Sequence, residues 1–596
     1  MANFLLVHDP DTVRRQFAVL QARDRVGFLP QMRGELTLAS HYALAWAAAP
    51  LAPVEHHRAT EPDAPDCMLF GAPHDHEGVT LKAADFCRRH DIVWDAPNEL
   101  NGYYAALLVH PRLGVRIEGD VLGLFPLYYW QHRDVLLVGT SPELFRSHPS
   151  FQSELDLHGA AALLLTSGLV GGRTLWRGVR RLAADHRLIW LPGAAPRELP
   201  PPLRAAGDMI ESRDEAVEQA AELHASFLRA ALRDAQRPGM LLSGGLDSRL
   251  LAGFAAEQTR QPECLTFGRP EDLDAACATA VARELGLKQS LYDVTPEDYA
   301  QYAQSSVTWE QLSGGLYALP MGWNLSLRPP TVEIDRLICG LTLDAVIGGP
   351  KYVARTSGAL SFERLRIGRL GFGRDELARL IGAPDLARAC EDVRGELLDE
   401  YVASAASDHL REWRMNLAHR HRFAVGMCAW RYSLFAWPVL PALDRRLIAL
   451  AHRLPYSVIK DRQIQTRLLV TRFPRLARLD LDRNYFDTVP LLGSKTSAWR
   501  DLRRRATKLR RRCQTWLGRD PRFYVRTMEF NSPGWRVVRS LAEEARGAGA
   551  ALFRTDALER LLPRADVRVR HIEDPIVHST PLKNTLGLML WLRQHA

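Results

Sequence analysis

The sequence predicts an α/β protein made of two parts of different kinds. The first, which we call the first layer, is antiparallel, and the second contains a parallel sheet. Before residue 191, short apolar runs alternate with turns, a pattern typical of an antiparallel two-sheet layer. Between residues 239 and 350, strand-like apolar runs alternate with helix-like segments, which favours a parallel sheet with helices on both faces. From about residue 380 onward the pattern is mainly helical.

A stretch rich in proline and glycine separates the two parts. Prolines at positions 192, 196 and 200–202 interrupt any regular element after the strand-like run from Arg187 to Leu191. We therefore expect a first domain over residues 1–191, a linker over residues 192–207 and a second domain over residues 208–596.

Composition sets the class of protein. With 46% hydrophobic and 24% charged residues in 596, the chain can bury two or more cores. No apolar run reaches the roughly 18 to 20 residues that span a bilayer, and the first residues lack the pattern of an export signal. The 8 cysteines are scattered without C-x-x-C spacing, which indicates neither a zinc site nor a disulfide framework. We expect a cytoplasmic protein without a membrane span.

The most informative segment is the turn after the apolar run Gly239–Leu242. It consists of Leu242, Ser243, Gly244, Gly245, Leu246, Asp247 and Ser248. The two glycines permit a sharp turn and close approach to a ligand. Residues 246–258 form a predicted helix, whose N-terminal N–H groups and dipole favour a phosphate, and the aspartate can hold a magnesium ion. An ordinary strand-to-helix turn is the alternative, but the S-G-G-L-D-S order is more specific, and we expect a phosphate site.

This loop resembles the pyrophosphate loop of the ATP-pyrophosphatases, and among them the asparagine synthetase family, which adenylates a carboxylate with ATP. Thr266, Phe267 and Gly268 end a second predicted strand that matches the family's strand against the adenine. Gly340 and Asp344 match the family's G-E-G-x-D-E segment. The resemblance implies ATP and Mg²⁺ as cofactors, Asp247 and Asp344 as magnesium ligands, and a HUP-like parallel-sheet domain with extra helices.

The second of these segments departs from the family pattern. Leu341 and Ala345 stand where the family has glutamates, and Thr342 replaces its second glycine. Further on, Pro438–Asp444 resembles the family's P-F-L-D helix. Four ordered segments over about two hundred residues therefore match.

The front of the chain resembles the glutaminase-type N-terminal domain of the same enzymes. The resemblance is carried by Leu100–Ala105, Asp120–Tyr129 and Gly139–Glu143, and it implies an Ntn-hydrolase-like α+β sandwich. In those enzymes a cysteine after the initiator methionine releases ammonia from glutamine. Here Ala2 follows Met1, and its methyl group offers neither thiolate nor hydroxyl for acyl transfer. We expect an inactive glutaminase-like domain.

The amine that attacks the activated acid must then come from elsewhere. β-Lactam synthetase, carbapenam synthetase and the lasso-peptide macrolactam cyclases also lack the cysteine, and all close a ring within one molecule. The first two resemble each other in the lysine of an R-x-K-x-G segment. Here Arg483 is present, Tyr485 stands at the lysine position, and Lys495 lies ten residues later. These three are the candidate catalytic residues, and the missing lysine favours the lasso-peptide cyclases.

The resemblance to lasso-peptide cyclases implies two partners. The substrate would be a precursor peptide whose Asp or Glu side chain is adenylated and then attacked by its own newly exposed N-terminal amine. A leader peptidase would expose that amine. An ammonia-dependent asparagine synthetase, a small-ring synthetase and a non-catalytic scaffold remain as alternatives.

Three further features have simpler interpretations. The apolar stripes at residues 423–437 and 581–592 could line a peptide groove, but core packing explains them equally well and is favoured. The basic run at residues 503–512 is interpreted as a solvated helix, so no nucleic acid is expected as a partner. His419 and His421 are expected to be packing or surface residues rather than metal ligands.

Overall fold

The computed structural model describes most of the chain. The described residues are 2–27, 32–201, 207–293, 312–314, 332–350, 359–433, 435–482, 488–492, 506–507, 509–511, 513–514, 521–522, 530–569 and 580–595. Arg483, Tyr485, Lys495 and half of the basic run 503–512 lie outside these residues.

Seventeen strands are present in the described part of the chain. They are β1 (Ala2–His8), β2 (Arg33–Leu38), β3 (Ala43–Ala48), β4 (Val54–His57), β5 (Asp66–Gly71), β6 (Tyr104–His110), β7 (Gly114–Gly119), β8 (Tyr128–His132), β9 (Val135–Gly139), β10 (Arg180–Arg181), β11 (Arg187–Trp190), β12 (Arg197–Leu199), β13 (Pro238–Leu241), β14 (Glu263–Phe267), β15 (Gln289–Tyr292), β16 (Arg336–Ile338) and β17 (Trp437–Val439).

The α-helices become frequent after β12. They are α1 (Thr12–Val26), α2 (Ala83–Ile92), α3 (Leu157–Thr166), α4 (Arg213–Leu232), α5 (Leu246–Ala256), α6 (Leu273–Leu285), α7 (Leu343–Val346), α8 (Arg374–Leu380), α9 (Pro384–Ser404), α10 (Asp408–Met415), α11 (Gly426–Tyr432), α12 (Arg445–His452), α13 (Tyr456–Ile459), α14 (Gln463–Arg472), α15 (Pro474–Ala477), α16 (Pro533–Glu543), α17 (Arg546–Ala550), α18 (Thr555–Leu561) and α19 (Thr580–His595). A π-helix, Asn416–Val425, joins α10 to α11.

Two antiparallel six-stranded sheets form the first layer. Their orders are β10-β8-β9-β1-β3-β2 and β12-β11-β7-β6-β5-β4. The stacked rings of Phe4 on β1 and Phe70 on β5, 4.9 Å apart, join the two sheets face to face. Leu5 and Val7, on the opposite face of β1, pack with α1 and α3, so both faces of this strand are buried. Double burial explains why β1 is almost continuously apolar.

The third sheet is parallel throughout, in the order β15-β14-β13-β16-β17. β13 comes first along the chain and lies in the middle, with β14 on one side and β16 on the other. The chain thus leaves β13 in one direction and later returns to its other side. In parallel sheets, ligands bind at the carboxyl ends of the strands where the order reverses in this way. The expected combination of an antiparallel layer and a parallel sheet is confirmed.

The helices of the second half complete the core. α9 and α19 both pack on α3 of the first layer. Met427, Trp430, Met589 and Trp591 are each at most 1% exposed, so the interpretation of both apolar stripes as core is confirmed. No helix in the described ranges has both the length and the apolar character needed to cross a membrane.

The structure also places a strand within the expected linker. β12 pairs antiparallel with β11, Leu199 opposite Arg187. Proline therefore ends the element after β11 but does not prevent the chain from returning along its edge, because an edge strand needs hydrogen bonds on one side only.

Candidate functional site

The loop between β13 and α5 is held by its own two hydroxyls. The Oγ atoms of Ser243 and Ser248 lie 2.8 Å apart, and the Ser243 N–H donates to Ser248 Oγ at 3.2 Å. The Gly245 N–H donates to Ser243 Oγ at 3.3 Å. Leu246 then begins α5, whose N-terminus therefore lies at the carboxyl end of β13.

Gly244 is where this loop approaches α6 most closely. A Cβ atom here would lie 2.7 Å from Cys277 Cβ and 2.9 Å from the Asp274 carbonyl oxygen, so only glycine fits. The Gly244 N–H donates to Asp274 Oδ1 at 2.9 Å, and its carbonyl accepts from the Asp482 N–H at 3.0 Å. Burial, together with the nearby Asp482, raises the pKa of Asp274 to about 7.

Gly340 brings the loop after β16 against α5. A Cβ atom at Gly340 would lie 3.1 Å from Asp247 Cβ and 3.5 Å from the Ser248 nitrogen. The absence of a side chain therefore lets the two loops on either side of the strand reversal touch. This contact brings the predicted phosphate loop and the Gly340–Asp344 segment together.

The two predicted magnesium ligands converge on one cation. Arg462 Nη2 lies 3.0 Å from Asp247 Oδ2 and 3.1 Å from Asp344 Oδ2. The Gln465 side chain donates to the other oxygen of Asp247. Burial lowers the pKa of Arg462, but Asp247 and Asp344 outweigh it and the net pKa is raised. In this structure one guanidinium pairs with both carboxylates, which leaves a net negative charge at this point.

The backbone that carries Arg462 is unusual. Asp461 and Arg462 both adopt left-handed conformations, with φ of 57° and 58°. The Arg462 N–H donates to the Gly348 carbonyl at 3.0 Å. Consecutive non-glycine residues in this region are strained, and such strain concentrates at functional sites.

The donor set fits magnesium bound together with a nucleotide. Two carboxylates lie within reach of one cation, and Mg²⁺ is usually held by one or two carboxylates, with phosphate oxygens and water completing its shell. Among the described residues, no group of three or more His, Cys, Asp or Glu side chains forms a metal cage. Asp247 and Asp344 are the residues that would hold the ion.

Residues 266–268 lie at the carboxyl end of β14, beside the loop. The Thr266 hydroxyl donates to the Leu242 carbonyl at 2.8 Å, which ties β14 to the start of the loop. The Phe267 ring lies 5.6 Å from that of Tyr292. Gly268 has φ of +127°, a conformation that requires glycine. The structure therefore groups these three predicted residues with the β13 loop, and Thr266 has a structural hydrogen bond there.

Thr342, which stands where the family pattern has its second glycine, keeps a backbone conformation typical of glycine. It caps α7 with φ of +66°, a left-handed conformation in which glycine is favoured. Its Oγ1 lies 3.3 Å from His421 Nδ1, so the hydroxyl has a partner in the π-helix. His421 was expected to be a packing or surface residue. Its ring is buried, and it also lies at the candidate site.

A cavity of about 230 Å³ adjoins Asp344. It lies between α7, α10, the π-helix and the turn at Arg462, and Ala345, at a position where the family has glutamate, forms part of its wall. Its charged and polar lining residues are Asp344, Arg366, Glu412, Asn416, Arg420, His421, Asp461 and Arg462. Sequence reasoning missed the arginines and Gln465, because no motif marks them. Arg420 comes from the π-helix, Arg462 from the turn before α14, and Gln465 from α14 itself.

Residues 220–414 match the model of the asparagine synthase family. This part of the chain is therefore similar to the asparagine synthase family. The matched residues contain the β13 loop, Gly340 and Asp344, whereas Arg420 and Arg462 lie beyond them. No curated protein matches the chain.

Among solved structures, the chain is similar to glutamine phosphoribosylpyrophosphate amidotransferase from B. subtilis, complexed with ADP and GMP. The identity is 11% and the TM-score is 0.20. The similarity covers 49% of this chain and 65% of that enzyme, less than two thirds of its length. The fold described above rests on the strands themselves and not on this similarity.

Proposed function

We propose that this protein is an ATP-dependent amide-forming ligase that closes a macrolactam ring in a precursor peptide, as lasso-peptide cyclases do. The observation that carries the ligase proposal is the convergence of Asp247 and Asp344 beside the β13 loop, at the reversal of a parallel sheet. Loop N–H groups and two carboxylates suit a magnesium-bound triphosphate. The match of residues 220–414 to the asparagine synthase family supports the same reaction class.

The proposed reaction has two balanced steps. A carboxylate oxygen of an Asp or Glu side chain attacks the α phosphorus of ATP, and pyrophosphate leaves. The N-terminal amine of the same peptide then attacks the acyl carbon, loses a proton, and AMP leaves as the isopeptide bond forms. Mg²⁺ held by Asp247 and Asp344 would supply charge neutralisation for the pyrophosphate.

The first layer supports an amine source other than glutamine. β1 contains no Cys, Ser or Thr, so its residues offer no side-chain nucleophile of the glutaminase type. Ala2 is fully buried, and its carbonyl accepts a hydrogen bond from Trp430 Nε1 at 2.9 Å. We interpret this layer as an inactive, Ntn-hydrolase-like domain that contributes packing to the ligase.

An amine on the substrate itself has a kinetic advantage. Holding both reacting ends of one peptide together makes the reaction intramolecular instead of bimolecular. This can lower the activation free energy by up to roughly 7 to 11 kcal/mol. A leader peptidase that exposes the N-terminal amine is the partner this scheme requires. We place the reaction in the reducing cytoplasm, in line with 8 free cysteines.

An assay with three substrate sets tests the peptide proposal. The first is a library of synthetic peptides with a free amino terminus and one internal Asp or Glu. The second is the same library acetylated at the terminus, and the third is aspartate with ammonium. We expect a product that has lost one water from the first set only. Product from the third set alone would instead identify an ammonia-dependent asparagine synthetase and contradict the cyclase proposal.

The small-ring alternative has its own readout. A β-lactam-synthetase-like enzyme would consume ATP with a free β-amino acid and ignore the peptides. The candidate catalytic residues Arg483, Tyr485 and Lys495 remain part of the proposal, and substitution of each by Ala in the peptide assay tests them.

A further inference from the structure

The cavity beside Asp344 is lined by an arginine, Arg420. Within the described residues, the side chain of Arg420, on the π-helix, forms no hydrogen bond and no ion pair. Glu412 and Asp461 also line the cavity. Asp344, the remaining acid, is already paired with Arg462.

The charges nearest Arg420 act on it in opposite directions. Burial lowers the pKa of Arg420, and the nearby Arg366 lowers it further, whereas Asp344 raises it. His421 adds no further positive charge, because burial lowers its pKa to about 3 and the ring is neutral at physiological pH. The Arg420 side chain is partly exposed and lines the cavity, so an anion that enters the cavity can pair with its guanidinium.

The size of the cavity limits what can enter. At about 230 Å³ it is smaller than the roughly 300 to 1,000 Å³ typical of sites for whole small molecules. A single acidic side chain fits this space, and a folded peptide does not. Asp344 forms part of the wall, so an acid bound here lies beside the predicted magnesium position.

We propose that this cavity takes the carboxylate side chain that is to be activated, with Arg420 as its counter-ion. The inference rests on the proposed function, since it names the pocket for the acid that the ligase adenylates. Arginine suits this role because its planar guanidinium can donate two parallel hydrogen bonds to one carboxylate.

Binding of single-residue probes tests the pocket without chemistry. The acidic probes are the N-acetyl methylamides of aspartate and glutamate, and the neutral controls are those of asparagine and glutamine. Isothermal titration is done with the full chain, alone and saturated with magnesium and α,β-methylene-ATP. We expect an acidic probe to bind and the amides to bind at least about tenfold more weakly, as loss of a charge-assisted hydrogen bond predicts.

The decisive variant is Arg420→Met, which removes the charge and keeps the length. It should weaken binding of the acidic probe about tenfold or more. Arg420→Lys should recover part of that loss and also serves if the first variant folds poorly. Arg388→Met is the control, because Arg388 lies on α9 with 73% of its side chain exposed. Equal affinity of Arg420→Met and the unmodified chain, equal binding of acids and amides, or no acid binding in either titration would overturn the pocket.

The pocket and the proposed function can fail separately. Arg420→Met should leave binding of α,β-methylene-ATP unchanged, and should raise the KM for the acid in pyrophosphate release more than it lowers kcat. If acids bind through Arg420 but no acid supports pyrophosphate release, the pocket stands and the ligase proposal fails. If pyrophosphate release proceeds with an unchanged KM for the acid, the ligase stands and the pocket is wrong.

Discussion

At the residue scale, the site holds the carboxylates of Asp247 and Asp344 close together, which requires a cation between them. Arg462 fills this role, with Nη2 3.0 Å from Asp247 and 3.1 Å from Asp344. Two carboxylates this close to one point repel each other unless a positive charge lies between them. Magnesium with its triphosphate would therefore enter a site in which the guanidinium already holds the carboxylates together.

Asp247→Asn tests the role of the first carboxylate. The amide keeps the size of the side chain and removes its charge, so we expect pyrophosphate release to fall about 100-fold or more, as is typical when an electrostatic contact to reacting phosphates is lost. The melting temperature should change little, because Arg462 keeps its pairing with Asp344. Steady-state pyrophosphate assays and thermal unfolding measure the two effects.

The matched control is Asp214→Asn, on α4, where 77% of the side chain is exposed. It should leave pyrophosphate release unchanged. Full turnover by Asp247→Asn, or an equal loss in both variants, would remove the role assigned to Asp247.

Asp274 makes stability depend on pH. Burial raises its pKa from 3.8 to about 7, so between these values the folded chain holds a proton that the unfolded chain has lost. The free energy of unfolding contributed by this group therefore falls as pH rises through that window. The difference in free energy of unfolding between Asp274→Asn and the unmodified chain should therefore shift in favour of Asp274→Asn from pH 4 to pH 7. Above pH 7 this difference should stay constant. Urea unfolding at a series of pH values measures this, and a difference that does not vary with pH would contradict it.

Much of the site at this scale could be predicted from sequence. The order S-G-G-L-D-S marked Ser243 to Ser248, and Gly340 and Asp344 followed from the second segment. Arg420 and Arg462 could not be predicted, because each reaches the site through tertiary packing from an element without a motif. The left-handed backbone at Asp461 and Arg462 marks this turn in the structure. A left-handed φ at residues other than glycine cannot be predicted from the sequence.

At the scale of elements, close packing of the β13 loop on α6 can be tested with one methyl group. Gly244→Ala would place a Cβ atom 2.7 Å from Cys277 Cβ and 2.9 Å from the Asp274 carbonyl. We expect the free energy of unfolding to fall by about 1 to 3 kcal/mol, as in other overpacked sites. Nucleotide affinity should fall as well, because the loop must move.

The control is the same substitution on α9. A Cβ atom at Gly395 would meet nothing within 4 Å. Gly395→Ala should therefore raise the free energy of unfolding by about 0.5 to 1 kcal/mol through helix propensity alone. Guanidinium unfolding of both variants checks the pair, and a stabilising Gly244→Ala would contradict the described packing.

Elements with a strong local signal were predicted within a few residues. β13, β14 and α5 each combine an apolar run with glycine punctuation, and the structure has them at Pro238–Leu241, Glu263–Phe267 and Leu246–Ala256. The π-helix Asn416–Val425 was not predicted, since its sequence reads as an ordinary amphipathic helix and only the packing around it selects the wider turn.

At the scale of the whole molecule, the two halves share their cores. One hydrophobic cluster contains Leu5 and Trp176 together with Trp591, and another contains Phe4 together with Leu250. Glu143 Oε1 accepts from Trp176 Nε1 at 2.8 Å and from Trp591 Nε1 at 3.0 Å, which fastens α19 to the first layer. The domain boundary at residues 192–207 remains a prediction. Each of the two hydrophobic clusters contains residues from both sides of it.

Shared cores predict cooperative unfolding. We expect one calorimetric transition for the full chain rather than two. Trp591→Ala should lower the free energy of unfolding by about 3 to 5 kcal/mol and shift that single transition, since the side chain is 1% exposed. Trp591→Phe keeps most of the ring and should cost much less. Two well-separated transitions, of which Trp591→Ala moves only one, would contradict the shared core.

The most direct test of the central claim is the identity of the products formed from ATP. With magnesium and the peptide library, the account predicts AMP and pyrophosphate in equal amounts, resolved by anion-exchange chromatography, and both products at a rate lowered about 100-fold or more from the Asp247→Asn variant. Formation of ADP and phosphate, or AMP and pyrophosphate at an unchanged rate from Asp247→Asn, would contradict it.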